Sequence, residues 1–83
     1  MKTTVRYFAS IREAMGISSE QLDLPVSNLG ALRDALISRP GPGSAALARG
    51  RAVRMALNQV MSDESAALTE GCEVAFFPPV TGG

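Results

Sequence analysis

Residues 73–83 read EVAFFPPVTGG, a short apolar strand pattern followed directly by a tail that cannot join a sheet. The two prolines fix φ and lack a backbone donor, so a strand ladder must end at Phe77. The two terminal glycines have no side chain to anchor in a core. Chain ends are often frayed and rich in small residues, but no polar linker separates this tail from the strand. We therefore predict one folded domain over residues 1–77 and an extended tail over residues 78–83.

The composition excludes several kinds of functional site. The 83 residues include eight basic and eight acidic side chains and no histidine, and Cys72 is the only cysteine. Disulfides within the chain, Cys/His zinc sites and nucleophile pairs that need an imidazole are therefore excluded. Balanced charge argues against nucleic acid or an anionic membrane surface as the main partner. With no signal-peptide or membrane-span pattern, we expect a cytoplasmic protein. The remaining carboxylates, Lys2, the arginines and Tyr7 form no recognisable catalytic group, so we expect a chain that is not an enzyme by itself.

Alternating apolar residues predict the strands of a sheet. We expect strands over residues 3–8, 20–24, 52–57, 60–61 and 73–77. The side chains expected to face the core are Val5, Tyr7, Leu22, Leu24, Val53, Met55, Leu57, Val74 and Phe76. Tight turns are expected at Asn58-Gln59 and at Glu70-Gly71.

One main helix is predicted between the second and third strands. It opens at Ser27 or Asn28 and runs to about Ser38. Leucines at positions 29, 32 and 36 form one apolar stripe, and Arg33 lies off that stripe. One helix cannot cover both faces of a sheet, so we expect the other face to be open.

Two shorter helical turns are also expected. Ser10 is predicted to cap a turn over residues 11–15, with Gly16 ending it. The other turn is predicted over residues 44–49, after a loop rich in proline and glycine.

Three stretches resemble the small subunit of molybdopterin synthase, a family of sulfur carriers. Residues 8–16, FASIREAMG, match the family's opening pattern Phe-Ala-x-x-Arg-Glu-x-x-Gly, and residues 57–59 resemble its Val-Asn-Gln turn. Residues 70–83 are similar to its closing signature, in which Phe-Phe-Pro-Pro-Val-x-Gly-Gly is the most specific part. The resemblance implies an α+β fold of the β-grasp (ubiquitin-like) kind, with a mixed four- to five-stranded sheet and one main helix packed on one face.

The resemblance also implies that the terminal carboxylate of Gly83 is the reactive group. In this family ATP activates that glycine as an acyl-adenylate on a separate E1-like adenylyltransferase, and a sulfur donor then converts it to a thiocarboxylate. The loaded tail enters the large subunit of the synthase and donates sulfur to cyclic pyranopterin monophosphate, which builds the dithiolene of molybdopterin for the molybdenum cofactor. The residues expected to thread into the partner are Pro78, Pro79, Val80, Thr81 and Gly82.

The assembly implied by the resemblance is a heterotetramer of two small and two large subunits. The catalytic side chains would lie on the large subunit. We expect no cofactor to stay bound to this chain, because ATP is used by the activating enzyme, and we expect no metal site.

The tail is expected to be a weak ligand by itself, because ordering each of its residues costs about 1–2 kcal/mol. The domain must therefore supply a docking face. Phe8 and Phe77 lie on the strand faces opposite the predicted core sets. We expect them to form the docking face with Ala75, Ala56 and Arg54 nearby. A register shift of one residue would instead place both rings in the core.

Three other functions stay open from the sequence. Carriers that serve thiamine, tRNA thiolation or cysteine pathways also end in Gly-Gly, a ubiquitin-like modifier would join Gly83 to a target lysine, and a plain β-grasp binding module would not use its tail. Cys72 stands where the family usually has an acidic residue, and we expect an inert, structural thiol there. The methionines at 15, 55 and 61 are expected to be core or ordinary surface, not a binding stripe.

Overall fold

A mixed five-stranded sheet carries three helices on one face in the computed structural model, which describes residues 1–79. The strands are β1 (Lys2–Tyr7), β2 (Ser19–Asp23), β3 (Arg54–Leu57), β4 (Val60–Ser62) and β5 (Cys72–Phe77). The helices are α1 (Ala9–Met15), α2 (Leu29–Ser38) and α3 (Gly43–Ala46). The sheet order is β2-β1-β5-β3-β4, with β1 and β5 parallel and the other neighbours antiparallel. The predicted α+β architecture, with the main helix on one face, is confirmed.

The core lies between the sheet and the helices. Val5, Tyr7, Val74 and Phe76 project into it from the two parallel central strands, and none is more than 1% exposed. The rings of Tyr7 and Phe76 stack with their centroids 6.2 Å apart. The three leucines of the predicted α2 stripe are fully buried against them. The core faces predicted for β1 and β5 are therefore confirmed, and the removal of this apolar surface from water is the main stabilising term.

The start of α2 is held by a side-chain cap and by a neighbouring loop. Asn28 is the N-cap, and its side-chain oxygen accepts a backbone N–H from the first turn at 2.8 Å. The N–H groups of Leu29 and Gly30 donate to the carbonyls of Ala66 and Glu64 at 3.1 and 2.9 Å. These bonds satisfy donors that a helix leaves free at its N-terminus. The same close approach of the loop explains why residue 30 is a glycine, since a Cβ there would lie 3.1 Å from the Glu64 carboxylate.

The prediction that Arg33 lies off the buried face was wrong. Its side chain is only 4% exposed, and Nε donates to the carbonyl of Leu47 at 2.8 Å. One terminal nitrogen donates to the carbonyls of Ala48 and Arg51 at 2.9 and 3.3 Å. α3 ends at Ala46, before the expected limit, and the carbonyls that follow accept from arginine instead of from later helical N–H groups.

Several other predicted element boundaries were also wrong. β1 and β2 each begin and end one residue earlier than expected, and β4 and β5 are each one residue longer. β3 begins at Arg54 rather than two residues earlier, because Arg54 pairs with Phe77 and the next residue, Pro78, has no N–H for the ladder. α1 begins earlier than expected, and Ser10 does not cap it. Phe8 is the N-cap, without a side-chain hydrogen bond.

The predicted turns are confirmed, and their backbone angles explain the residue types. Gly16 ends α1 at φ 78°, and Gly71 adopts φ 79° before β5. Asn58 and Gln59 join β3 to β4 at φ 49° and 69°. Two successive positive φ angles form the kind of two-residue hairpin turn that matches the twist of the flanking strands.

Candidate docking face beside the C-terminal stem

The sheet face turned away from the helices, the open face, has a row that crosses four strands. Arg6 of β1 pairs with Ala75 of β5, Ala75 with Ala56 of β3, and Ala56 with Met61 of β4. Directly opposed residues share a face of a sheet, so all four side chains lie on the open face. Ala56 is buried, whereas Met61 is 55% exposed. Because the side chains of the two alanines are small, the middle of this row is a shallow depression in the surface beside the larger Met61.

A second row lies at the end of the sheet where the tail begins. Phe77 pairs with Arg54 across β5 and β3. The N–H of Phe8 donates to the carbonyl of Phe76 at 3.1 Å, which places Phe8 beside Phe77. Phe8 is 40% exposed and Phe77 is half-buried. The structure therefore brings the predicted docking residues, Ala75 included, onto one face, and their role in docking stays a prediction.

Each aromatic ring of this face has an arginine next to it. The guanidinium of Arg6 lies 5.4 Å from the ring centroid of Phe8. A terminal nitrogen of Arg6 is 3.9 Å from the carboxylate of Glu73, a contact worth at most about 1 kcal/mol at an exposed site. Arg54 is exposed and stands opposite Phe77. A partner surface with an apolar patch and an acidic rim would complement these aromatic rings and arginines.

The C-terminal stem, Pro78-Pro79, continues directly from the docking face. Both prolines are half-buried and follow Phe77 without a spacer. The roles predicted for Val80, Thr81, Gly82 and Gly83 concern residues outside the part of the chain that the structure describes. A partner that covers the open face therefore meets the root of the tail.

A tight backbone turn holds Phe8 at the edge of the face. Ala9 adopts φ 51°, in the left-handed region. The carbonyl of Phe8 accepts hydrogen bonds from the N–H groups of Ile11 and Arg12 at 3.1 and 3.2 Å. The phenyl ring is thus presented by a fixed backbone, which lowers the entropy lost when a partner covers it.

Tyr7, Glu20 and Arg39 form a hydrogen-bonded cluster away from the docking face. The Tyr7 hydroxyl donates to Glu20 at 2.7 Å, and both terminal nitrogens of Arg39 donate to the same carboxylate. Burial, with a further contribution from the bond to Glu20, raises the pKa of Tyr7 above its usual value. The bond from Arg39 lowers the pKa of Glu20, although burial opposes it. At neutral pH the hydroxyl is neutral and the carboxylate charged, so the cluster joins β1, β2 and the end of α2 structurally.

Met61 lies on the open face beside the predicted docking residues, and the sequence prediction did not include it. The sequence predicts a strand of only two residues there, too short for alternation to show which side chain faces the core. The cross-strand pairs settle the question, because Val60 pairs with Leu57 and Met61 with Ala56. The useful signal was the hairpin turn at residues 58–59, which sets the register of β4 from that of β3.

Cys72 is 3% exposed in the core, and its expected inertness stays a prediction. Across residues 1–79, no three His, Cys, Asp or Glu side chains are grouped so as to hold a metal ion. In that same described stretch, no helix has the length and apolar character needed to cross a bilayer.

The fold and the stem define a class of protein, the ubiquitin-like β-grasp domains. The structure is similar to SAMP1 from Haloferax volcanii, with a TM-score of 0.78 and 24% identity over all of both chains. It is also similar to a chain in the complex of subunits 1 and 2 of molybdopterin-converting factor from Helicobacter pylori 26695. There the TM-score is 0.70, the identity is 27%, and all of both chains is covered.

Sequence comparison identifies the family within that class. The profile of the ThiS family matches residues 5–83. The molybdopterin synthase sulfur carrier subunit of Haemophilus influenzae is 37% identical over 79 residues, which cover 95% of this chain and 96% of the relative. The chain therefore belongs to the ThiS family. The predicted resemblance to the small subunit of molybdopterin synthase is confirmed.

Proposed function

We propose that this chain is the sulfur carrier subunit of a molybdopterin synthase and acts in molybdenum cofactor biosynthesis. The observation that carries the proposal is the 37% identity to the Haemophilus influenzae subunit over 95% of the chain. The FFPPVTGG ending supports it, because a stem without donors and a tip without side chains suit a narrow tunnel in a partner.

The first step is activation of the C-terminus of Gly83. A carboxylate oxygen attacks the α-phosphorus of ATP on an E1-like enzyme, and pyrophosphate leaves. Hydrosulfide supplied by the sulfur donor then attacks the carbonyl carbon, the C–O bond to the phosphate breaks, and AMP leaves. The product is a thiocarboxylate, in which one terminal oxygen has been replaced by sulfur. Adenylation is needed because a free carboxylate is a poor electrophile with no suitable leaving group.

The second step is delivery of the sulfur to the large subunit. The open face, with Phe8, Phe77 and Met61, docks on that subunit while the tail enters its active site. The similarity to a chain of the subunit 1 and 2 complex from Helicobacter pylori supports a large-subunit partner. The large subunit supplies the catalytic side chains, and the thiocarboxylate donates its sulfur to cyclic pyranopterin monophosphate. Two chains of each kind make up the synthase.

The test is intact-mass spectrometry after co-expression with an E1-like enzyme and a sulfur source. We expect a species in which sulfur replaces one oxygen at Gly83, and we expect it to convert the pterin precursor when the large subunit is added. Deletion of Gly83 is the control, and it should abolish conversion without changing the circular dichroism spectrum. If the tail forms only lysine adducts on other proteins, the chain is a modifier and the proposal fails.

A further inference from the structure

Met61 differs in exposure from the other methionines of the chain. Its side chain is 55% exposed, whereas Met15 and Met55 are 7% and 6% exposed, and Met1 packs partly against the core. Met61 also borders a surface cleft of about 720 Å³ beside β3 and β4. A water-borne oxidant therefore has direct access to the Met61 thioether, while the two core thioethers are shielded.

We propose that Met61 is a reversible oxidation site that switches off docking of this chain. The inference rests on the proposed function, because it takes the open face to be the surface that binds the large subunit. Hydrogen peroxide transfers one oxygen atom to the sulfur of Met61, its O–O bond breaks, and water leaves. The thioether loses two electrons and the peroxide gains them. A methionine sulfoxide reductase reverses the step with electrons from thiols.

The position of Met61 explains why oxidation affects docking rather than folding. Reduced methionine is an adaptable apolar side chain that suits an apolar partner surface. The sulfoxide carries a strongly polar oxygen, which water in the adjoining cleft solvates in the free chain. Docking removes that water, and an unpaired buried polar group is unfavourable, so affinity falls by about tenfold or more. The docked chain covers the thioether, so oxidation acts on the free carrier.

The test uses the full-length carboxylate form of the chain and the purified large subunit. Each chain is compared with itself before and after treatment with hydrogen peroxide, and the Kd is measured by calorimetry. We expect the Kd of the unaltered chain to rise about tenfold or more and to recover after reductase treatment. In Met61→Leu, which has no sulfur to oxidise, the Kd should not change on treatment.

Two controls make the result specific. Fragment-ion spectra must place the added oxygen at Met61, because exchange of oxygen for sulfur at Gly83 gives the same nominal mass change. Cys72→Ala removes the one thiol and should show the same peroxide response as the unaltered chain. An unchanged Kd after oxidation at Met61, or an equal loss in Met61→Leu, overturns the inference and leaves the proposed function standing. Failure of the untreated chain to bind the large subunit overturns both.

Discussion

Ala9 adopts a left-handed φ of 51°, which is unfavourable by about 1 kcal/mol for a residue with a Cβ. Ala9→Gly should therefore raise the free energy of unfolding. The gain should not exceed about 1 kcal/mol, because glycine also has more freedom in the unfolded chain, which offsets part of the relieved strain. Urea unfolding measures the change. Ala14→Gly, at an exposed position inside α1, is the matched control and should lower stability by about 1 kcal/mol. Equal effects of the two substitutions would contradict a strained Ala9.

Glu20 makes stability depend on pH through its bonds to Tyr7 and Arg39. Because its pKa is lowered in the folded state from the usual 4.5, its stabilising contribution is present above that value and is lost as the pH falls below it. We expect Glu20→Gln to cost about 1–2 kcal/mol at neutral pH. The difference from wild type should shrink when urea unfolding is repeated near pH 3, where most carboxylates are protonated. Glu13→Gln, at an exposed position, should show neither effect.

At the scale of elements, α2 and α3 approach each other at Gly43. A Cβ at this position would lie 2.8 Å from the backbone carbonyl oxygen of Leu36, so the helices would have to move apart. We expect Gly43→Ala to lower the free energy of unfolding by about 1–3 kcal/mol. Gly50→Ala is the matched control, because a Cβ there meets nothing within 4 Å, and it should change stability by no more than about 0.5 kcal/mol. If Gly43→Ala and Gly50→Ala had the same melting temperature, the close approach of the two helices at Gly43 would be contradicted.

Elements with a strong local signal could be predicted from the sequence. β1 alternates between core-facing and other side chains, β5 is a short run of apolar residues that ends at a proline, and Asn28 is a favoured N-cap. Their positions therefore depend on nearby residues. The ends of elements could not be predicted as well, because they depend on partners far along the chain. β3 is the clearest case, since its first pair is formed with Phe77 and the following proline ends the ladder.

The candidate site could be predicted only in part for the same reason. The placement of Phe8 and Phe77 on the open face could be predicted, because the two-residue period of long strands separates the two faces of the sheet. Met61 lies on a strand too short to show that period. The burial of Arg33 depends on backbone carbonyls at residues 47–51, which only the folded chain brings next to α2.

At the scale of the whole molecule, the proposed function assigns binding to the open face and chemistry to the tail. β5 ends at Phe77, so under the proposed function a large subunit bound to the open face would hold the root of the tail next to its own active site. Linked binding of this kind gives the tail an effective concentration in the millimolar range without a contact of its own. Affinity is therefore expected to depend mainly on the face, and sulfur transfer on the tail.

Phe77→Ala tests that division. We expect the Kd for the large subunit to rise about tenfold or more, because a few large side chains, often aromatic, carry much of an interface's binding energy. The melting temperature should change little, because Phe77 is half-buried on the open face. Val60→Ala is the matched control. Val60 is 65% exposed and adjoins Met61, but it pairs with Leu57 on the helix side of the sheet, so the Kd should not change. An equal loss of affinity in Val60→Ala would mean that the partner binds the β4 edge of the sheet. A large drop in melting temperature for Phe77→Ala would assign that ring to the core.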